Sequence, residues 1–302
     1  MEEILLTRRG PEDGGNFEYQ WADGYLASHY ISDVGRKREH NEDSVILCSP
    51  EDEDLLDARG CLFAVADGMG GASAGELASQ LALESAIESF YTGDTETVPE
   101  QLREAIETAN ATVFRESQQH AGLEGMGTTF SALVIRGDGA YVGQVGDSRV
   151  YLSRGHEGFQ QITEDHSLVA EQLRSGLISE EEAENHSLKN MITRAVGIKL
   201  DVEVDLFSLK IQQGDSFLLC SDGLCNLVDD DDITNALRMD NIKDAARILV
   251  GKALEAGGND NVSVAVVRVV GEPSDVLPLQ KGGREVDVVR PGFFRRLLSL
   301  FF

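Results

Sequence analysis

FAVADGMGG, residues 63–71, runs a short apolar stretch straight into an acid and a glycine, and FLLCSDGL, residues 217–224, repeats the design. Runs this apolar belong to central strands, covered on both faces. Asp67 and Asp222 then stand at the ends of two buried strands with no Lys or Arg near them in sequence. Two further acids share the context. Asp260, in GGNDN (257–261), precedes VSVAVVRVV (262–270); Asp43, in HNEDS (40–44), precedes SVILC, with Glu42 beside it. If these strands share packed sheets, their ends can gather the carboxylates at one edge. Like charges so placed repel and raise one another's pKa. A divalent cation is the simplest agent that makes such a cluster favourable. Oxygen donors without Cys or a consistent His point to a hard ion, Mg²⁺ or Mn²⁺, rather than zinc. Taken singly, each Asp-Gly is a turn dipeptide, as Asp138-Gly139 illustrates, and Asp147 in GDSR reads as a turn acid. The coincidence of several positions carries the metal reading.

The chain has 302 residues and a formal net charge of −27. That balance argues against nucleic-acid binding, which needs Lys and Arg to displace counterions from phosphates. Four cysteines show no metal-ligand spacing, and Cys48, Cys61 and Cys220 lie in or beside apolar runs where a thiol packs as a small hydrophobe. MEEILLTRR is not a signal peptide, and no apolar stretch reaches the roughly 20 residues that span a bilayer. A cytoplasmic protein, at most peripheral to a membrane, is the expectation.

Strand patterns fall at 44–48, 61–66, 130–136, 140–145, 149–154, 216–220 and 262–270, with a hairpin turn at Gly137-Asp138-Gly139. Helical periodicity marks VPEQLREAIETANATVF, NIKDAARILVGKALEAGG and AGELASQLALESAIESF, and Ser179 with Glu182 is spaced as a capping box. Antiparallel strands in blocks with helices between them indicate an α+β fold. Residues 1–25 read as a flexible head, 26–271 as one domain and 272–302 as a tail.

GRKREHNED (35–43) adds a basic element. An exposed basic cluster is ordinarily a solvated face. An arginine such as Arg38, held near a metal pair, can also fork onto two phosphate oxygens as a lysine cannot.

In order, the chain carries SDVGRKREHNEDS, AVADGMGGASAGELAS, GMGTTFSALVI, YVGQVGDSRVYL, ITEDHSLV, NMITRAVG, FLLCSDGL and GGNDNVSVAVV. This series closely resembles the metal-dependent protein phosphatases of the protein phosphatase 2C family, in their bacterial form. The resemblance implies a four-layer α-β-β-α fold, in which a central sandwich of two antiparallel sheets is flanked by helices. It implies two Mn²⁺ or Mg²⁺ ions, with a third held more weakly. Asp67 matches the carboxylate bridging both metals, and Gly68 supplies a carbonyl to one. Asp222 and Asp260 match ligands of the other, Glu42 a residue reaching the second ion directly or through water, and Asp147 the acid of the third site. Asp43 matches the residue orienting the bridging water, and Arg38 the phosphate-binding arginine. The implied reaction is hydrolysis of phosphoserine and phosphothreonine in proteins by a metal-bridging hydroxide, opposing a bacterial Ser/Thr kinase on its substrates. Residues 166–190 match a variable flap beside the site. Met69 stands where many eukaryotic members carry His, which leaves the general acid open; His40 and His166 are the candidates, His166 more as the residue ordering a turn.

The last stretch, 288–302, sets Phe293, Phe294, Leu297, Leu298, Phe301 and Phe302 against Arg295, Arg296 and Ser299. As a helix of about 22 Å it is too short to span a bilayer. It suits an anionic membrane surface or a partner groove, or equally the domain's own core.

Overall fold

All seven apolar runs form strands, and every one is mostly buried along its length. The structure is a computed structural model that describes residues 5–155, 158–273, 278–286 and 288. Its first elements are β1 (Leu5–Gly10), β2 (Phe17–Ala22), β3 (Leu26–Asp33), β4 (Asp43–Pro50), α1 (Glu53–Arg59) and β5 (Cys61–Met69). Two long helices follow, α2 (Ala72–Thr92) and α3 (Val98–Gln119), then β6 (Gly127–Thr128), β7 (Phe130–Arg136), β8 (Gly139–Val145), β9 (Arg149–Arg154) and β10 (Gly158–Gln161). Next come α4 (Leu168–Arg174), α5 (Glu180–Glu184), β11 (Asp205–Lys210), β12 (Asp215–Cys220) and α6 (Asp222–Cys225). The described chain closes with α7 (Asp230–Leu237), α8 (Ile242–Glu255), β13 (Val262–Val269) and β14 (Arg284–Glu285).

One sheet has the order β1-β4-β5-β7-β8-β11-β14, with β6 on β5; the other runs β10-β9-β12-β13-β3-β2. Every pairing is antiparallel except the short β11–β14 contact. Three apolar cores separate four layers. Leu83, Phe90, Leu102 and Ile106 of α2 and α3 pack on the first sheet. Val45, Phe63, Leu133, Phe217 and Val267 fill the space between the sheets. Ile233, Ala246 and Leu249 of α7 and α8 cover the second. The expected α+β sandwich is the observed fold. The helices start where their caps dictate: Thr97 accepts the Glu100 N–H at α3, and Ser179 and Glu182 form the capping box of α5.

The head is a correction. Residues 5–10 and 17–22 are strands, β1 extending one sheet and β2 the other, so most of 1–25 is built into the sandwich. Both are edge strands, which need burial on one face only, so neither shows a continuous apolar run. Phe17, Tyr19 and Trp21 pack against the inter-sheet core, and their alternation was a legible strand signal. The tail also departs in part, because β14 docks on β11. The amphipathic stretch lies outside the described residues apart from Val288. No helix among the described residues is long and apolar enough to cross a membrane.

Candidate metal centre

The register of β4 and β5 sets Asp43 opposite Asp67 at one end of the first sheet. Backbone hydrogen bonds pin Asp67 on both sides: its N–H reaches Thr129 Oγ1 at 2.9 Å, and its carbonyl accepts from Thr128 Oγ1 and the Thr129 N–H, each at 2.9 Å. Both threonine hydroxyls are thus engaged by the Asp67 backbone. Beyond Asp67 the chain is packed too closely for a side chain. A Cβ on Gly68 would lie 2.1 Å from the Gly75 carbonyl oxygen and 2.5 Å from that of Glu42. Only glycine fits this approach between α2 and the loop before β4.

The second sheet brings up the other acids. Asp222 opens α6 directly after β12, and the preceding Ser221 donates its Oγ proton to Asp43 Oδ2 at 2.7 Å. Asp260 precedes β13. Its neighbour Asn261 is the hinge pin of the site: Nδ2 donates to the carbonyls of Val34 (2.9 Å) and His40 (3.0 Å), and Oδ1 accepts the Glu42 N–H at 2.9 Å. Gly35, at φ +85°, lies where a Cβ would meet the Asp260 carbonyl oxygen at 2.1 Å. The loop carrying Arg38 and Glu42 is thereby stitched to the strand end carrying Asp260. Asn261 and Ser221 were missed in the sequence, since an amide and a hydroxyl at strand ends look like any turn residue.

Electrostatically this edge is unfavourable to its own charges. Burial pushes the Asp67 carboxyl well up, and Asp43, Asp222, Asp147 and Asp260 add to the shift. Burial, Asp222 and Asp260 raise Asp43 to about 7, against the opposing influence of the Ser263 and Ser221 hydroxyls. Burial, Asp222 and Asp165 raise Asp147 to about 7. Asp222 is raised by burial and by Asp260, and Glu42 chiefly by burial. Asp43 Oδ1 is buried with no hydrogen-bond partner. An orphaned oxygen among mutually repelling carboxylates, beside a side-chain-free carbonyl at Gly68, fits hard cations with oxygen ligands. Among the described residues, no three His, Cys, Asp or Glu side chains close on a single point.

Asp260 has a basic partner, brought to it from far along the chain. Arg38 Nη2 donates to Asp260 Oδ2 at 2.8 Å, and Nη1 lies 3.9 Å from Glu42 Oε1. Burial opposes the guanidinium charge, but Asp260, Glu42 and Asp67 outweigh it and hold Arg38 above its usual pKa. Arg38 remains 43% exposed, so one face of the fork is open to a ligand. His40 is exposed on the same loop.

Asp147 stands beside Asp222 at the mouth of a groove of about 610 Å³, whose far wall is the 166–190 segment, with Ser167, Leu173, Arg174 and Lys189. His166 is locked at its root. Its Nδ1 accepts the Gly146 N–H at 3.0 Å, which leaves Nε2 to face Asp205 at 3.2 Å, and Arg194 closes the network on Asp205 at 2.8 Å. Burial and Arg194 depress the His166 pKa. A neutral imidazole held this way orders the turn and has no free proton to deliver. A larger groove, about 710 Å³, runs along β1 and α2, away from these acids.

The sequence profile of protein phosphatase 2C matches residues 36–249. The serine/threonine phosphatase stp of Listeria monocytogenes is 37% identical over 247 residues, 80% of this chain and 95% of its own. The solved serine/threonine phosphatase PstP/Ppp of Mycobacterium tuberculosis superposes with a TM-score of 0.72 at 35% identity, covering 82% of this chain and 100% of that one. The catalytic domain of PstP in complex with two manganese ions gives 0.70 at 36% identity, covering 82% and 99%.

Proposed function

This chain belongs to the protein phosphatase 2C family and is a metal-dependent protein serine/threonine phosphatase that works with two Mn²⁺ or Mg²⁺ ions, and from that premise we propose which residues carry the reaction. Asp67 and the Gly68 carbonyl, with Asp222, Asp260 and Glu42, hold the two ions, and Asp147 serves a third. When bound, such ions lower the pKa of water and neutralise charge on phosphoryl oxygens. Asp43 aligns the attacking water. Ser221 occupies its Oδ2, so the partnerless Oδ1 is the acceptor turned to that task. Arg38 forks onto phosphate oxygens of the bound ester and offsets the charge that grows there in the transition state. Asn261 keeps the Arg38 loop in place against Asp260.

Residues 26–271 form the catalytic domain in this reading, completed by β1 and β2, and 166–190 is the flap that meets the phosphoprotein. The substrates are proteins phosphorylated by a bacterial Ser/Thr kinase, and the enzyme resides in the cytoplasm with 288–302 as a peripheral membrane contact. The convergence of Asp43 and Asp67 from one sheet with Asp222 and Asp260 from the other carries the proposal. Its test is Mn²⁺-dependent hydrolysis of a phosphothreonine peptide by the wild type and by Asp222→Asn. A folded Asp222→Asn protein that hydrolyses the peptide at the wild-type rate and Mn²⁺ dependence would overturn it.

A further inference from the structure

The segment after β13 lies outside the span that matches the family, yet it returns to the catalytic groove. Gln280 fastens it: its Oε1 accepts the Val98 N–H at 2.7 Å and its N–H donates to Tyr141 Oη at 3.1 Å. Arg103 then donates to the Gly282 carbonyl at 3.1 Å. β14 pairs parallel with β11, Arg284 opposite Phe207, and the Val286 N–H continues the ladder to the Ser208 carbonyl at 2.8 Å. Val286 and Val288 pack against the inter-sheet core. This is a docked strap, and it holds one charged side chain out towards the flap.

Arg284 lies with its guanidinium carbon 5.4 Å from the Phe207 ring centre and forms an ion pair with Glu164. Glu164 is the residue at which the chain leaves β10 for the flap, and its other oxygen lies 3.9 Å from Arg174 Nε on α4. Arg174 in turn donates to the Asp165 carbonyl at 3.0 Å. Asp165 is itself forked by Arg149, with contacts of 2.7–3.1 Å. Glu164, Asp165, Arg149 and Arg174 all line the groove that ends at Asp147 and Asp222. The root of the flap is therefore held from inside by His166–Asp205 and from outside by a residue of the strap.

We propose that Arg284 is a positioning residue for substrate: through Glu164 it sets the flap, and so tunes capture of phosphoprotein substrates without touching the phosphoryl site. This rests on the phosphatase reading above. A small ester that fills only the metal edge is indifferent to the flap; a peptide that runs along the groove is not. The pair is surface-exposed, so its effect is modest, about two- to fivefold.

The experiment uses the full chain with Mn²⁺ and two substrates, a phosphothreonine peptide and p-nitrophenyl phosphate. Arg284→Glu should raise the peptide KM two- to fivefold and leave p-nitrophenyl phosphate hydrolysis at wild-type kcat and KM. Glu164→Arg should raise the peptide KM likewise, and the double exchange should restore it. Trypsin cleavage after Arg174 and Lys189, followed without substrate, should accelerate in Arg284→Glu and return to the wild-type rate in the double exchange. Unchanged peptide KM and unchanged cleavage in Arg284→Glu, or a double exchange no better than either single variant, overturns the proposal. A wild-type protein inactive on both substrates sinks the phosphatase reading instead, and trypsin cleavage still decides whether Arg284 holds the flap.

Discussion

Asp43 and Asp67 face each other across β4 and β5, two acids in direct register at the buried end of a sheet. Nothing in the apolar core needs either charge. The arrangement opposes folding of the chain alone and favours binding of cations, a trade common at catalytic sites. Asp67→Asn keeps the shape and removes the charge. Peptide hydrolysis should fall by roughly 10³-fold, and Mn²⁺ titration calorimetry should show weakened binding. In chelator the variant should melt at a higher temperature than the wild type, because a repelling carboxylate has gone. A lower melting temperature in chelator would mean that Asp67 serves the fold and not the metal.

The pH dependence of that trade is measurable at Asp43. Its folded-state pKa of about 7 lies above that of an unfolded Asp, so the folded chain holds the proton more tightly. The associated stability is fully present below about pH 4 and is lost as pH rises through 7. His29 and His166, both depressed chiefly by burial, act oppositely, losing stability as pH falls through the usual His range. Comparing wild type with Asp43→Asn in chelator cancels the histidines. The stability advantage of Asp43→Asn should grow by about 1 kcal/mol between pH 6 and pH 8. Denaturant titrations at the two pH values check this; a constant difference would place the Asp43 pKa outside that window.

Arg38 should separate substrate binding from metal binding. Arg38→Ala should lower kcat/KM for the peptide about 10²-fold, about 2.7 kcal/mol, with much of the loss in KM. Because Arg38 shares Asp260 with the metal site, Mn²⁺ affinity in the variant should hold or tighten. Arg38→Lys should recover only part of the activity, since an ammonium cannot reproduce the fork. Weakened Mn²⁺ binding with a wild-type KM would make Arg38 a scaffold for Asp260 and move the phosphate clamp elsewhere.

Deleting 289–302 should spare catalysis, because the strap to Val288 stays in place. Peptide kcat/KM should remain within twofold of wild type, while binding to vesicles containing anionic lipid, measured by co-sedimentation, should be lost. Retained vesicle binding, or a large drop in melting temperature, would assign those residues to another surface or to the core.

Local physics was readable directly from the chain. Central strands at 61–66 and 216–220 are written as continuous apolar runs, the capping box at Ser179 and Glu182 as a spacing, and Asp67, Asp222 and Asp260 as acids where strands end. These features depend on neighbours within a few residues, and periodicity and turn chemistry report them. The edge strands β1 and β2 were harder, since burial on one face leaves a weaker pattern, and Arg8 and Arg9 interrupt it in β1.

Tertiary structure alone decided who meets whom. Asn261 reaches Val34 across 227 positions, Ser221 reaches Asp43 across 178, and Arg38 reaches Asp260 across 222. No local pattern encodes these contacts, because each follows from sheet order and register, which are settled by burying three cores at once. The same holds for Arg284, an ordinary tail arginine in the sequence, which becomes a neighbour of the flap only because β14 finds the free edge of β11.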